Sequence, residues 1–190
     1  MKRIVELWEG HSRRVESGEI ARVRGRAIHV DENVDKDLGQ ETDAFLSAAT
    51  RALKTGMQAV AGELGVNLGF LFQKQAGFEG GLARLATTDP ALAEYFRRTR
   101  EWSEVLIGRR NAIEHEGWRV PDVVYSHGGS GVVPTEPTIE GQPLTAFVAL
   151  IFDRLSCFVE EVTAHLLQKP LIEGITITEV PRAQRPQRHA

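Results

Sequence analysis

Residues 110–115, with the sequence Arg-Asn-Ala-Ile-Glu-His, hold the side chains of this chain that are best suited to chemistry. Histidine titrates near neutral pH, so His115 could take the proton of a ribose 2′-hydroxyl or protonate a leaving oxygen. Arginine offers a phosphate two donors at once, so Arg110 could bind the scissile phosphate and offset the charge of the transition state. The amide of Asn111 could orient either group. These residue types together predict cleavage of RNA without a metal ion.

The spacing Arg-x4-His is not specific by itself, because Arg24 and His29 repeat it in Arg-Gly-Arg-Ala-Ile-His. The setting separates the two matches. Residues 110–115 end a long amphipathic pattern and continue as Glu-Gly-Trp, whereas Arg24 and His29 lie in a segment without a helical period. We therefore interpret the earlier match as a coincidence.

Helix geometry sets a condition on the site. Five residues of an ideal α-helix turn through about 500°, which places Arg110 and His115 ~140° apart, on different faces. Either the helix loosens before Gly117, or groups from two protomers meet at a two-fold axis. Glu114 and Glu116 would repel RNA phosphates, although a carboxylate can also orient an imidazole. A purely structural interpretation stays open, with Arg110 paired to a core carboxylate and His115 favoured at the helix C-terminus.

Other candidate chemistry is weaker. The glycine run at residues 127–131 lacks the Gly-Lys-Ser/Thr ending of a phosphate-binding loop, and we interpret it as a turn. No two histidines have metal-ligand spacing on one helix face, and no Gly-x-Ser-x-Gly motif occurs. The single cysteine, Cys157, lies among apolar residues and is expected to be a buried structural thiol. We expect no cofactor and no metal ion.

Hydrophobic spacing predicts the first elements of the chain. A short amphipathic helix is expected over residues 3–16, and residues 18–30 are expected to be extended or irregular. A second helix should begin between residues 35 and 43, where acidic residues favour a helix N-terminus. Gly62 and Gly65 indicate a break.

The next elements lead to the candidate site. Residues 66–72 form a dense apolar patch. We interpret this patch as part of another helix or of a tight connection, which ends at the glycines 77, 80 and 81. Thr88-Asp89-Pro90 is a strong helix start, with a capping side chain followed by proline. Gly117 is expected to cap the end of this helix. The helix has the clearest period in the chain, at Leu92, Tyr95, Phe96, Thr99, Trp102, Leu106 and Ile113.

The chain changes character over residues 121–143, which are rich in glycine and proline and could form a β-hairpin around the glycine run. A long helix is predicted from about residue 143 to residue 167. Residues 175–180 alternate like a short strand, and residues 181–190 are expected to be disordered. The predicted fold class is mainly α: an antiparallel helical bundle with a Gly/Pro-rich insertion, a candidate β-hairpin, and a short C-terminal strand.

Composition restricts the function classes. The net charge is −3 with neutral histidines, which argues against a protein that coats nucleic acid through its global field. Arginines nevertheless cluster at positions 13, 14, 22, 24 and 26, and again at 97, 98, 100, 109 and 110. We interpret both clusters as solvated faces, with a local basic groove as the alternative. The sequence contains no apolar run of signal-peptide or membrane-spanning length, so we expect a cytoplasmic protein.

The setting of Arg110, Asn111 and His115 resembles the HEPN superfamily, the higher eukaryote and prokaryote nucleotide-binding domains. These helical bundles are marked by Arg-x4-6-His, often with a polar residue such as Asn after the Arg. The motif here, RNAIEH, matches in spacing and in residue type, and the helical resemblance covers roughly residues 35–168. It implies a domain organisation with an N-terminal helix and irregular segment at 1–34, a HEPN-like domain at 35–180 and a tail at 181–190.

The resemblance implies one of two functions. Many HEPN proteins are metal-independent endoribonucleases of toxin–antitoxin, antiviral defence or RNA-processing systems, in which a homodimer brings two motifs together. That precedent implies Arg110 as the phosphate binder, His115 as the acid–base group and Asn111 as polar support, with an antitoxin or nucleotidyltransferase as partner. Other members keep the fold and serve as inactive dimerisation or scaffolding modules.

Overall fold

The computed structural model describes residues 1–64, 69, 74–129 and 131–168. The predicted fold class is confirmed, since this part of the chain is mainly helical and carries small antiparallel hairpins. Its elements, in chain order, are α1 (Lys2–Glu16), β1 (Ala21–Arg24), β2 (Ala27–Val30), α2 (Asp35–Leu64), α3 (Gln75–Ala86), α4 (Pro90–Asn111), β3 (Val124–Gly128), β4 (Gly131–Thr135), β5 (Thr138–Ile139), β6 (Gln142–Pro143) and α5 (Leu144–Gln168).

The main core forms where α2, α4 and α5 pack together, with α3 against α4 and α1 against α2. The helices pack through apolar side chains, because burial of apolar surface drives their association, although Phe152 and Val159 of α5 stay about half exposed. The largest fully buried side chains are Ile4, Leu38, Leu46, Leu53, Phe78, Leu82, Leu92, Phe96, Leu106, Ile139, Leu144 and Phe158.

The start of α4, the helix that leads to the candidate site, follows the sequence prediction. The Asp89 carboxylate accepts a hydrogen bond from the backbone N–H of Leu92 at 3.0 Å, and Pro90 occupies the first helical position. The other carboxylate oxygen of Asp89 lies 2.7 Å from His165 Nε2 in the last turn of α5. This buried cap therefore fixes the N-terminus of α4 against the C-terminus of α5.

Helices α2 and α5 approach closely at Gly56. A Cβ atom built on Gly56 would lie 3.0 Å from Cε1 of Phe158, which is fully buried. The Phe158 ring is held in turn by Tyr95 and Phe96, with ring centroids 6.2 and 6.5 Å away. The absence of a side chain at Gly56 is what lets the two helices meet at this distance.

The three hairpins explain two segments that sequence patterns described only loosely. Residues 18–30, expected to be extended or irregular, contain β1 paired with β2. Within the 121–143 insertion, the predicted hairpin around the glycine run is confirmed: β3 pairs with β4, and Gly128 stands opposite Gly131. The third hairpin, β5–β6, turns at Glu140 and Gly141, both with positive φ. A second, smaller core under the first two hairpins contains Val15, Ile20, Ala21 and Val132.

Two sequence predictions are wrong in detail. The glycines at 77, 80 and 81 do not end an element but lie inside α3, because Phe78, Leu82 and Leu85 are buried there and tertiary packing overrides the low helix propensity of glycine. Cys157 is a free thiol that is only partly buried.

Several expectations fall outside the described residues: most of the 66–72 patch, the strand at 175–180 and the tail at 181–190. Among the helices that are described, none is both long and apolar enough to cross a membrane.

Candidate functional site

The candidate site lies where α4 widens into a π-helical turn, residues Ala112–Glu116. The turn ends at Gly117, whose φ of 70° is the left-handed conformation that favours glycine, as predicted. The backbone N–H groups of Gly117 and Trp118 both donate to the carbonyl of Ala112. The ideal α-helical angle between residues 110 and 115 therefore does not apply, because the helix has loosened before Gly117. Single π turns of this kind occur frequently at functional sites.

Glu114 connects the predicted site residues. Nη2 of Arg110 lies 2.5 Å from one carboxylate oxygen of Glu114, and Nε2 of His115 lies 3.8 Å from the other. Nη1 of Arg110 donates to Oδ1 of Asn111 at 3.1 Å. Arg110, Asn111 and His115 thus belong to one cluster within a single protomer. The sequence allows a carboxylate to orient the imidazole of His115, but it does not indicate that Glu114 also pairs with Arg110.

The cluster is open to solvent. The side chains of Arg110 and Glu114 are 34% and 38% exposed, and the imidazole of His115 is 70% exposed. Arg110 is consequently not paired to a core carboxylate. Surface ion pairs of this type contribute about 0–1 kcal/mol, so a phosphate can compete for the guanidinium at small cost.

Arg109 supports the turn instead of joining the cluster. Its Nε donates to a carboxylate oxygen of Glu140 at 2.6 Å, and its guanidinium lies 5.1 Å from the Trp118 ring centroid. Glu140 has φ of 53°, an uncommon backbone conformation for a residue other than glycine. Arg109 therefore ties the end of α4 both to the β5–β6 turn and to the residue that follows the π turn.

The second Arg-x4-His match lies on β1–β2. Because Arg22 stands opposite His29 and Arg24 opposite Ala27, side chains of Arg24 and His29 are on the same exposed face of the hairpin. The matching spacing thus arises from a two-residue turn and not from a helix end.

A buried polar cluster that sequence patterns did not indicate lies on the other side of the insertion. His11, in α1, is fully buried, and its Nε2 lies 2.8 Å from the hydroxyl of Tyr125 in β3. Its Nδ1 faces a carboxylate oxygen of Glu32 at 3.6 Å. Arg14 also contacts that carboxylate, at 2.6 Å. The partner of His11 lies 114 residues away, so the contact leaves no local signal in the sequence.

Burial, reinforced by the negative charges of Asp35 and Glu32, raises the pKa of Tyr125 to about 12. The hydroxyl of Tyr125 therefore keeps its proton at neutral pH and can form the hydrogen bond to His11. An ionised, nucleophilic tyrosine is disfavoured at this position. The cluster accordingly acts as a link between α1 and the insertion.

The remaining candidates take ordinary structural positions. Gly128 and Gly131 flank the β3–β4 turn, and a strand follows them, not the helix N-terminus that binds phosphate. No group of three or more potential metal ligands comes together in the part of the chain that the structure describes.

Comparison with known proteins adds no further identification. The chain matches no family model, no curated protein and no solved structure. The resemblance at residues 110–115 therefore stays a prediction. Function has to be argued from the side chains of this molecule alone.

Proposed function

We propose that the chain is a HEPN-like, metal-independent endoribonuclease of a defence or toxin–antitoxin type system, acting on RNA through Arg110 and His115. The observation that carries this proposal is the exposed cluster at the π turn, in which one carboxylate contacts both Arg110 and His115, with Asn111 beside Arg110. A base and a phosphate-binding cation then stand within reach of one bound phosphodiester.

The reaction uses the ribose of the substrate as its nucleophile. His115 takes the proton of the 2′-hydroxyl, the 2′-oxygen attacks phosphorus, and the bond from phosphorus to the 5′-oxygen breaks. The products are a 2′,3′-cyclic phosphate and a 5′-hydroxyl. Arg110 binds a non-bridging oxygen and offsets the growing negative charge. Asn111 holds the guanidinium in place through the hydrogen bond from Nη1.

The leaving 5′-oxygen needs a proton from a second acid. A homodimer that brings two π turns together across its two-fold axis would supply a second imidazole for this step. We therefore include a homodimer in the proposal. An antitoxin or nucleotidyltransferase partner, expected from the resemblance, would act by covering or modifying the exposed cluster.

The direct test is incubation of the protein with labelled single-stranded RNA in EDTA. We expect the wild type to produce fragments with 2′,3′-cyclic ends, and His115→Ala to lose about 100-fold or more in rate, as for removal of a general acid–base group. His127→Ala is the matched control, since it removes an exposed histidine of β3 that lies outside the cluster, and it should cleave like the wild type. Equal cleavage by His115→Ala would refute the proposal.

The second candidate is a catalytically inactive HEPN-like dimerisation or scaffolding module. One observation favours it: Arg110 already binds Asn111 and Glu114, and Glu114 and Glu116 place negative charge where a phosphate would bind. This alternative predicts a stable dimer without RNA turnover. It also predicts that Arg110→Ala changes neither the mass measured by light scattering nor any RNA signal.

A further inference from the structure

The β1–β2 hairpin presents arginine side chains on one face. Residues that stand opposite each other in an antiparallel pair, and residues two apart in a strand, point to the same side of the sheet. The register therefore groups Arg22, Arg24 and His29 on one face, and all three are exposed. Arg26 follows Gly25 in the turn, where the φ of Gly25 is +64°. The face and its tip carry three cationic side chains within five residues.

The opposite face attaches the hairpin to the body of the protein. Ala21 is buried with Val15 of α1 and Val132 of β4. The backbone N–H of Asp31 closes the base of the hairpin by donating to the carbonyl of Ile20 at 2.8 Å. Because one side is anchored, the arginine-bearing side is held toward solvent.

The charges of this face are only partly balanced. Arg22 pairs with Asp31 at 3.2 Å, in an exposed ion pair. Within the described part of the chain, no ion pair or hydrogen bond is seen for the guanidinium groups of Arg24 and Arg26. The guanidinium groups of Arg24 and Arg26 are therefore available to an anionic partner.

The geometry of the face suits a phosphate backbone. Arg22 and Arg24 are two residues apart in a strand, so their Cα atoms are ~7 Å apart. That separation is comparable to the distance between successive phosphates of an extended single strand. Arginine also recognises phosphate with two donors. The chain as a whole is acidic, with a net charge of −3, so a local site and not the global field must attract a polyanion.

We propose that the β1–β2 hairpin is the arm that binds the sugar–phosphate backbone of the RNA substrate, with Arg22 and Arg24 spaced for successive phosphates and Arg26 at the turn as a third contact. The identity of the polyanion rests on the proposed function, whereas the location of the surface rests on the hairpin alone. The hairpin binds without regard to base identity, because phosphate contacts carry no sequence information.

Binding is measured by fluorescence anisotropy of a labelled, unstructured single-stranded RNA, with His115→Ala as the parent protein so that the probe stays intact. We expect the added pair R24Q and R26Q to weaken binding about 10- to 30-fold at 0.1 M salt. The slope of log Kd against log salt should fall by about 1.4, as expected for the loss of two phosphate contacts to a single strand. The matched control is the pair R97Q and R98Q in α4, which removes the same charge from another exposed surface and should change Kd less than about twofold.

Unchanged affinity of the hairpin variant, or an equal loss in the control, would overturn the inference. So would tight binding of labelled polyglutamate to the hairpin without binding of RNA, because the surface would then serve an acidic protein. Failures of the two proposals are distinguishable. If the hairpin variant loses RNA binding but the wild type does not cleave RNA, the RNA-binding arm is supported and the nuclease is contradicted. If the wild type cleaves RNA but the hairpin variant binds RNA unchanged, the nuclease is supported and the arm is contradicted.

Discussion

Side chains of the same type have different roles in this protein, depending on the partners that they contact in the folded state. Arg109 and Arg110 are adjacent, yet Arg109 stacks on Trp118 and binds Glu140, whereas Arg110 faces solvent with Glu114. Residue type alone could not separate these roles, because Glu140 is 31 residues away in sequence. In the sequence, Arg110 is marked by the Arg-x4-His spacing together with its position at the end of a long amphipathic pattern.

The hydrogen bond between Tyr125 and His11 should contribute measurably to stability. Tyr125→Phe should destabilise the protein by about 1–3 kcal/mol at pH 8, because it leaves a nitrogen of the buried His11 without a partner. The tyrosine pKa is about 12 in the folded protein against an ordinary 10.0. The stability that Tyr125 contributes is therefore fully present below about pH 10 and is lost as pH rises from about 10 to 12.

Urea unfolding of the wild type and Tyr125→Phe at pH 8, 10 and 11 measures this effect. The difference in unfolding free energy should shrink as pH rises, since phenylalanine does not titrate. Other groups, including Tyr95, whose pKa burial and Glu161 also raise, are common to both proteins and cancel in the difference. A difference that stays constant over this range would contradict the assignment.

At the scale of elements, sequence patterns predicted the helices that rest on local signals. The start, the apolar face and the end of α4 are each determined by residues close together in sequence. These are Asp89 and Pro90 at the start, the stripe from Leu92 to Leu106, and Gly117 at the end. The π turn before Gly117 has no such signal, because the change in backbone hydrogen bonding over Ala112–Glu116 is not marked by any residue type in that segment. For the same reason the angle between Arg110 and His115 could not be obtained from an ideal helix.

The contact between Gly56 and Phe158 gives a prediction about helix packing. Alanine is the better helix former by about 1 kcal/mol, so Gly→Ala normally stabilises a helix interior. At Gly56 the added methyl group would lie 3.0 Å from Phe158, which is itself held between aromatic rings. Gly56→Ala should therefore lower stability, as overpacking does.

Gly39, in the same helix, provides the control. Nothing lies within 4 Å of a Cβ atom at this position, so Gly39→Ala should stabilise the protein by up to about 1 kcal/mol. Thermal denaturation of the two variants, read as opposite shifts in Tm, tests the assignment. Stabilisation by both substitutions would show that α2 and α5 can separate at Gly56 without cost.

The proposed cleavage needs a second acid, which the partner protomer of the homodimer would supply. Activity would then depend on the whole dimer. If the proposed homodimer carries two imidazoles that serve one cleavage, a protomer with His115→Ala should inactivate a wild-type partner. Co-refolding wild type with a growing excess of His115→Ala should then reduce wild-type cleavage toward zero, with RNA kept in excess.

The same mixture with His127→Ala in place of His115→Ala should leave cleavage proportional to the total protein. Cleavage that depends only on the amount of wild type, whatever the excess of His115→Ala, would indicate that one protomer suffices. An affinity tag on the His115→Ala protomer establishes whether mixed dimers have formed, because untagged wild type then co-purifies with it.

The buried pair of His11 and Tyr125 also has a consequence for the order in which parts of the molecule open. Residues 2–16 and the 124–135 hairpin are far apart in sequence, but His11 and Val15 of the helix share a polar link and a small core with Tyr125 and Val132 of the hairpin. Their amide hydrogens should accordingly exchange with solvent as one cooperative unit, separate from the α2–α5 core. Breaking the link by Tyr125→Phe should speed exchange in both segments together, which native-state hydrogen exchange can resolve residue by residue.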